Sequence, residues 1–191
     1  MFAVAVAVVL QRTTNKSAAV IIPTQEVKVA LADAGVTDSK RLTAAKRQQL
    51  NAFIRQQAIC AVGMASAYEI DRINILNASL TAMYRAVMHL SDVPQICLVD
   101  GNQRIPNLPI DQETVVKGDQ SVLAIAAASI VAKVWRDTLI IRLDKRYPGY
   151  DLASNKGYGS AKHRAGIAKL GTCRQHRKSF RSCQPNVSPK R

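Results

Sequence analysis

The first 25 residues of this 191-residue chain contain no Asp or Glu, and the first 34 contain no Gly. Acid is scarce throughout: 13 Asp and Glu stand against 27 Lys and Arg, a formal net charge of +14. An enzyme acting on a small acidic metabolite has little use for that excess. A polyanionic partner explains it better, because each Lys or Arg placed on a phosphate releases counterions; a solvated basic surface is the plainer alternative. The four cysteines, Cys60, Cys97, Cys173 and Cys183, form no CxxC pair. Cys60 and Cys97 lie in apolar runs and read as small core residues of a reducing compartment. Cys173, His176 and Cys183 have incomplete spacing for a zinc site. The opening run MFAVAVAVVL is too short to cross a bilayer and has no positive leader before it, so neither a membrane span nor a signal peptide is expected. No internal repeat, low-complexity block or interdomain linker divides the chain, and its length suits one domain with a sizeable core.

What is present centres on residues 117–137, KGDQSVLAIAAASIVAKVWRD. After the turn at Gly118 and Asp119 the stretch is free of Gly and Pro. Ala124, Ala126, Ala127 and Ala128 allow close packing, while Ile125, Ile130, Val131 and Val134 make the helix apolar on more than one side, which predicts burial. The run closes at Asp137, one turn after Lys133. A salt bridge to Lys133 would compensate that carboxylate; a second carboxylate brought to the same place would make it chemical. The candidate is Asp100, which ends the apolar run ICLVD before the Gly101-Asn102 turn. A strand ending in this way puts its Asp where α/β sheets collect ligands, with an Asx-turn as the structural alternative.

Elsewhere the pattern alternates strand and helix. MFAVAVAVVL at 1–10 reads as a first strand because valine alternates with alanine, SAAVII at 17–22 resumes as a second strand, and ICAVGMAS at 59–66 is a third. Residues 24–36 read as a surface linker. Thr43 caps a helix to about Gln57, Ser66 and Glu69 have capping-box spacing, and Leu76, Leu80, Met83, Val87 and Leu90 form a core stripe. A short strand runs through Val115 and Val116 to Lys117, and His163 opens a helix stopped by Gly171. NKGYGS at 155–160 is a polar loop carrying one cation and one aromatic, a pairing that suits nucleic acid, although a surface turn can hold both by accident.

DSKRL at 38–42, SAYEIDRINILNASLTAMYRAV at 66–87, LVDGN at 98–102, VKGD at 116–119, AAASIVAKVWRD at 126–137, NKGYGS at 155–160 and HRKSF at 176–180 together resemble ribonuclease HII. The resemblance covers roughly residues 17 to 180, in one order and at compatible spacings. It implies the ribonuclease H-like fold, an α/β arrangement with a mixed five-stranded sheet, helices on both faces and C-terminal helices. One domain over 1–180 is expected, with 1–16 atypical and 181–191 a basic, disordered tail. The implied activity is metal-assisted cleavage of RNA in RNA–DNA hybrids, including ribonucleotides embedded in duplex DNA, by a cytoplasmic monomer using Mg²⁺ or Mn²⁺. Asp100 and Asp137 would be the catalytic, metal-binding carboxylates. Ser39, Lys40, Lys117, Lys156 and Tyr158 would bind substrate, Lys117 at the scissile phosphate and Tyr158 against the sugar at the ribonucleotide–deoxyribonucleotide junction.

The family also carries a DEAGRG motif before its AAVIIP strand, and counting back from Pro23 its Asp and Glu should fall near Val4 and Ala5. Neither acid is there, and the Gly-Arg-Gly turn is missing too. Agreement that begins at Ser17 suggests an altered reading frame across residues 3–16. Two further expectations therefore stand beside the nuclease: a hybrid-binding module impaired in cleavage, and a basic structural nucleic-acid-binding protein.

Overall fold

Ala18 and Val20 face one hydrophobic cluster and Ala19 and Ile21 the other, all four buried, so β2 (Asn15–Ile21) is covered on both sides. The computed structural model that shows this describes residues 3–9, 15–180 and 183. Its sheet has five strands in the order β3-β2-β1-β4-β5, with β1 at Ala3–Val9, β3 at Ile59–Ala65, β4 at Ile96–Asp100 and β5 at Asp111–Val115. β1 pairs antiparallel with β2 and parallel with β4; β5 continues the parallel half. The sheet is therefore mixed, as expected.

One face carries α1 (Gln25–Asp33), α2 (Ala44–Gln57) and α5 (Leu123–Arg146), whose Ile125, Ile130 and Val131 meet Ala18, Val20, Leu31 and Ile54. The alanines of α5 are buried and let the helix lie across β1 and β2. α3 (Ala67–Met88) covers the other face through Leu80, Met83 and Val87. Gly63 makes that approach possible, since a Cβ there would run into the backbone of Ala82 and Ala86. Short α4 (Gly118–Ser121) follows β5, and α6 (Leu152–Asn155) and α7 (Ala161–Leu170) complete the C-terminal part.

Three local readings change. Residues 25–33 form a helix, not a loop: Thr24 caps it by accepting from the Val27 N–H, and buried Leu31 anchors it. α3 begins at the Ser66–Glu69 capping box and breaks at Asn74, which has φ 63° and caps the second half through the Leu76 and Asn77 amides. The helix after Gly118 is two helices, divided at Val122. HRKSF docks on α3, where Asp71 accepts from the amides of Lys178 and Ser179 and from the Ser179 hydroxyl. The tail expected over 181–191 lies outside the described residues except for Cys183.

Candidate functional site

β4 and β5 are parallel neighbours, so their carboxyl ends lie together, with Asp100 level with Val115. The chain leaving β5 takes a left-handed conformation at Lys117, φ 56°, and turns back toward β4. That turn brings the Gly118 N–H to Asp100 Oδ1 at 2.9 Å and buries Asp119 beside it. Burial first, and then the Asp119 charge, push the Asp100 carboxyl above its ordinary range, against the Gly118 amide and Lys40, which pull it down. Two carboxylates held this close favour a proton or a cation between them.

Lys40 answers part of that charge, its Nζ lying 3.2 Å from Asp119 Oδ2 while its side chain stays 78% exposed. The hydrogen bond to Asp119 raises the Lys40 pKa. The turn carrying it is tied down on three sides. Asp38 Oδ1 accepts from the Lys40 N–H at 2.9 Å, and the buried Ser39 hydroxyl meets that of Ser129 on α5 at 2.8 Å. Arg47 of α2 donates to the carbonyls of Ser39 and Leu42 at 2.7 and 2.5 Å. The Ser39 side chain is thus committed to holding the turn.

Asp137 has a different setting. Its Oδ1 is 2.6 Å from Arg136 Nη1 and 3.5 Å from Lys133 Nζ. Lys16 of β2 lies near the same group, fully buried, with its ammonium 5.0 Å from the Trp135 ring centroid. Burial, then the Arg136 charge, lower the Lys16 pKa to about 7, and its Nζ has no hydrogen-bond partner among the described residues. Arg136 also donates to the Lys156 carbonyl, and its guanidinium is 5.7 Å from the ring of Tyr158. Lys156 and Tyr158 sit on the expected polar loop, with Tyr158 50% exposed.

Asp100 and Asp137 thus have different immediate neighbours: Asp119 and Lys40 stand near Asp100, while Arg136, Lys133 and Lys16 stand near Asp137, and Lys16 is level with Val9 on the carboxyl side of β1. Lys117 does not pair with Asp119, whose ion pair is with Lys40. Asp119 is the residue that sequence reasoning passed over as part of a turn. Its signal was positional: adjacent parallel strands are each followed by an Asp next to a Gly, Asp100-Gly101 and Gly118-Asp119.

The donor chemistry sets what the site can hold. Two facing carboxylates suit a hard cation such as Mg²⁺ or Mn²⁺, which takes one or two carboxylates and fills its remaining positions with water and phosphate oxygens. Among the described residues no group of three or more His, Cys, Asp or Glu is placed to hold a metal ion. Also among the described residues, no helix is long and apolar enough to cross a membrane.

Residues 16–183 match the sequence model of the family described as Ribonuclease HII. A Ribonuclease HII from Acaryochloris marina is 67% identical over 156 residues, 81% of this chain and 79% of that protein. Among solved structures, the ribonuclease H2 from Pyrococcus horikoshii OT3 superposes with TM-score 0.79 at 22% identity, covering 96% of this chain and 95% of that one. The Bst-RNase HIII in complex with Mn²⁺ does so with TM-score 0.75 at 15% identity, over 96% of this chain and 68% of the other.

Proposed function

From the premise that this chain belongs to the ribonuclease HII family, we propose that it is an endoribonuclease acting on the RNA of RNA–DNA hybrids, including single ribonucleotides in duplex DNA. The observation that carries this reading is the meeting of Asp100 and Asp119 at the carboxyl ends of parallel β4 and β5. We keep Asp100 and Asp137 as the catalytic, metal-binding carboxylates that the resemblance implies, with Asp119 as a further acid beside Asp100. A Mg²⁺ or Mn²⁺ ion bound there would activate water and polarise the scissile phosphate.

The chain's own groups do the rest. The Gly118 amide, with the Asp119 amide beside it, holds the Asp100 carboxylate in place. Lys40 is exposed enough to leave Asp119 for a phosphate oxygen, and the Ser39–Ser129 and Arg47 contacts keep its backbone in place while it does so. Lys117 stands next to the same turn and supplies a second cation for the strand being cut. Tyr158 offers a half-exposed ring to a sugar, with Lys156 beside it for the adjoining phosphate. The net charge of +14 supports a polyanionic partner held along a broad surface. One domain over residues 1–180 with a basic tail, a monomeric state and a cytoplasmic setting complete the reading.

A second reading, binding without efficient cutting, is favoured by the side chains at positions 4 and 5. These are Val and Ala, where the family resemblance calls for Asp and Glu, and two carboxylates hold Mg²⁺ loosely. Labelled hybrid incubated in Mg²⁺ and in Mn²⁺ separates the two. Product that disappears in Asp100→Asn and Asp119→Asn supports the nuclease. Tight binding with no product in either metal supports the second reading, and equal affinity for hybrid, duplex DNA and single strands rejects both.

A further inference from the structure

We propose that Cys173 is a modification site, a thiol that His176 readies for exchange with small anionic disulfides of the glutathione class. The Cys173 amide donates to His176 Nδ1 at 2.9 Å, and the Cys173 sulfur lies 3.1 Å from the same nitrogen. An amide hydrogen pointing at Nδ1 leaves that nitrogen without one of its own. In the neutral ring the hydrogen therefore sits on Nε2, and Nδ1 accepts from the thiol S–H. Both polar contacts of the ring thus belong to Cys173, for His176 is 7% exposed and its buried Nε2 has no hydrogen-bond partner among the described residues. The surroundings keep this ring neutral. The Tyr150 and His163 ring centroids lie 4.8 and 5.3 Å away, with His163 stacked on it, and burial first, then the His163 charge, lower the His176 pKa. His163 itself is turned elsewhere, donating from Nδ1 to the Tyr150 carbonyl at 2.8 Å. A neutral imidazole held against a thiol can take its proton as the sulfur attacks.

Access and charge select the reagent. A cavity of about 490 Å³ opens beside Cys173 and His176, lined by the first turn of α3 and by residues of the 173–178 stretch, with Tyr68, Arg174 and Lys178 on its walls. That volume is within the range of small-molecule sites. Arg174 and Lys178 are exposed, whereas the acid in the lining, Asp71, is engaged by the Lys178 and Ser179 amides and the Ser179 hydroxyl. The cavity therefore favours an anionic peptide disulfide over a cationic one. Cys60 and Cys97 compete poorly, since burial pushes their thiols up to about 11 and about 12. In the exchange the Cys173 S–H bond and the S–S bond of the reagent break. A new S–S bond joins Cys173 to one half of the reagent, and the other half departs as a thiol with the proton that His176 Nδ1 carries to it. The disulfide itself is the oxidant, and the site stands apart from the nuclease reading.

The test treats the full chain, freshly reduced, with oxidised glutathione or with cystamine, a cationic disulfide, at several pH values below the ordinary thiol range. Intact mass and peptide mapping follow each cysteine. Oxidised glutathione should place one adduct on Cys173, about tenfold faster than on Cys60 or Cys97. An unassisted thiol slows about tenfold for each pH unit below its pKa, because only the thiolate attacks. The wild type should slow less steeply, and His176→Gln should restore the full slope. Arg174→Glu combined with Lys178→Glu should turn a preference for oxidised glutathione into one for cystamine, a reversal of about tenfold. These two exposed changes leave the ring contacts alone, so they read the cavity's charge even if the His176 variant does not fold. A Cys173 rate no greater than that of Cys60, adducts on Cys183 ahead of Cys173, or the same pH slope with and without His176 would each overturn the assignment. Equal rates with both reagents in the wild type would overturn the reagent class.

Discussion

Two aspartate centres lie in the same domain, and their surroundings have opposite sign. Asp100 and Asp119 are two acids sharing one mostly exposed lysine. Asp137 is one acid beside Lys133 and Arg136, with Lys16 close behind. In charge, and not in exposure, the first centre is open, being short of cations, and the second shut, having a surplus; the Asp137 side chain is 23% exposed against 9% for Asp119. The same residue type thus meets charge of opposite sign within one domain, and its neighbours have to be counted before its part is assigned.

Breaking the shut centre should have the largest effect. Arg136→Ala strips Asp137 of its closest partner and leaves the Lys156 carbonyl unpaired, which should cost about 3–5 kcal/mol in urea unfolding. A loss below about 1 kcal/mol would place this pair among ordinary surface bridges. Next in size is the open centre. Asp119→Asn should weaken Mn²⁺ binding, followed by electron paramagnetic resonance, and reduce any hybrid cleavage about a hundredfold. Asp137→Asn should weaken the Mn²⁺ titration as well, and an unaltered titration would remove Asp137 from the metal site.

A smaller effect is expected from pH. The Lys16 amine titrates at about 7 in the folded chain against an ordinary 10.5, so between those values the unfolded chain holds the extra proton. Stability should therefore climb as pH rises from about 7 toward 10, and the burial cost is felt in full below 7. Lys16→Met should flatten that slope and gain roughly 1–3 kcal/mol at pH 6.5, read from thermal melts at several pH values. Smallest of all, Ser129→Ala removes one buried hydroxyl contact under the Lys40 turn and should cost about 1 kcal/mol. Its double variant with Ser39→Ala should cost no more than the single, checked by denaturant titration.

What could be read beforehand was local. The strands at 17–22, 59–66 and 96–100, the Thr43 cap, the Ser66–Glu69 box and the buried central helix each depend on neighbours within a few residues, and all are present. α1 was hidden because only Leu31 of its nine residues is buried, so one side chain had to decide it. The break at Asn74 was hidden because asparagine in a left-handed conformation leaves no mark on a helical stripe. The site pairing was harder. Asp119 faces Asp100 through the folding back of β5, and Arg136 finds the Lys156 carbonyl across 20 residues of chain. Spacing along the chain pointed to Asp137 because it closes the helix; Asp119 became visible only once β5 was seen to lie next to β4.

The rungs of the ladder between β1 and β4 set a condition on any repair of the N-terminal segment. Val4 is level with Cys97 and Ala5 with Leu98, three and two steps short of Asp100, and the last paired rung is Val6 with Val99. A carboxylate grafted singly at position 4 would join a row below the open centre. Sliding β1 by three residues to close that gap would, as an odd shift, swap which face each of its side chains occupies. Restoration therefore calls for exchanging the whole hairpin, glycine turn included, so that strand offset and side-chain facing change together.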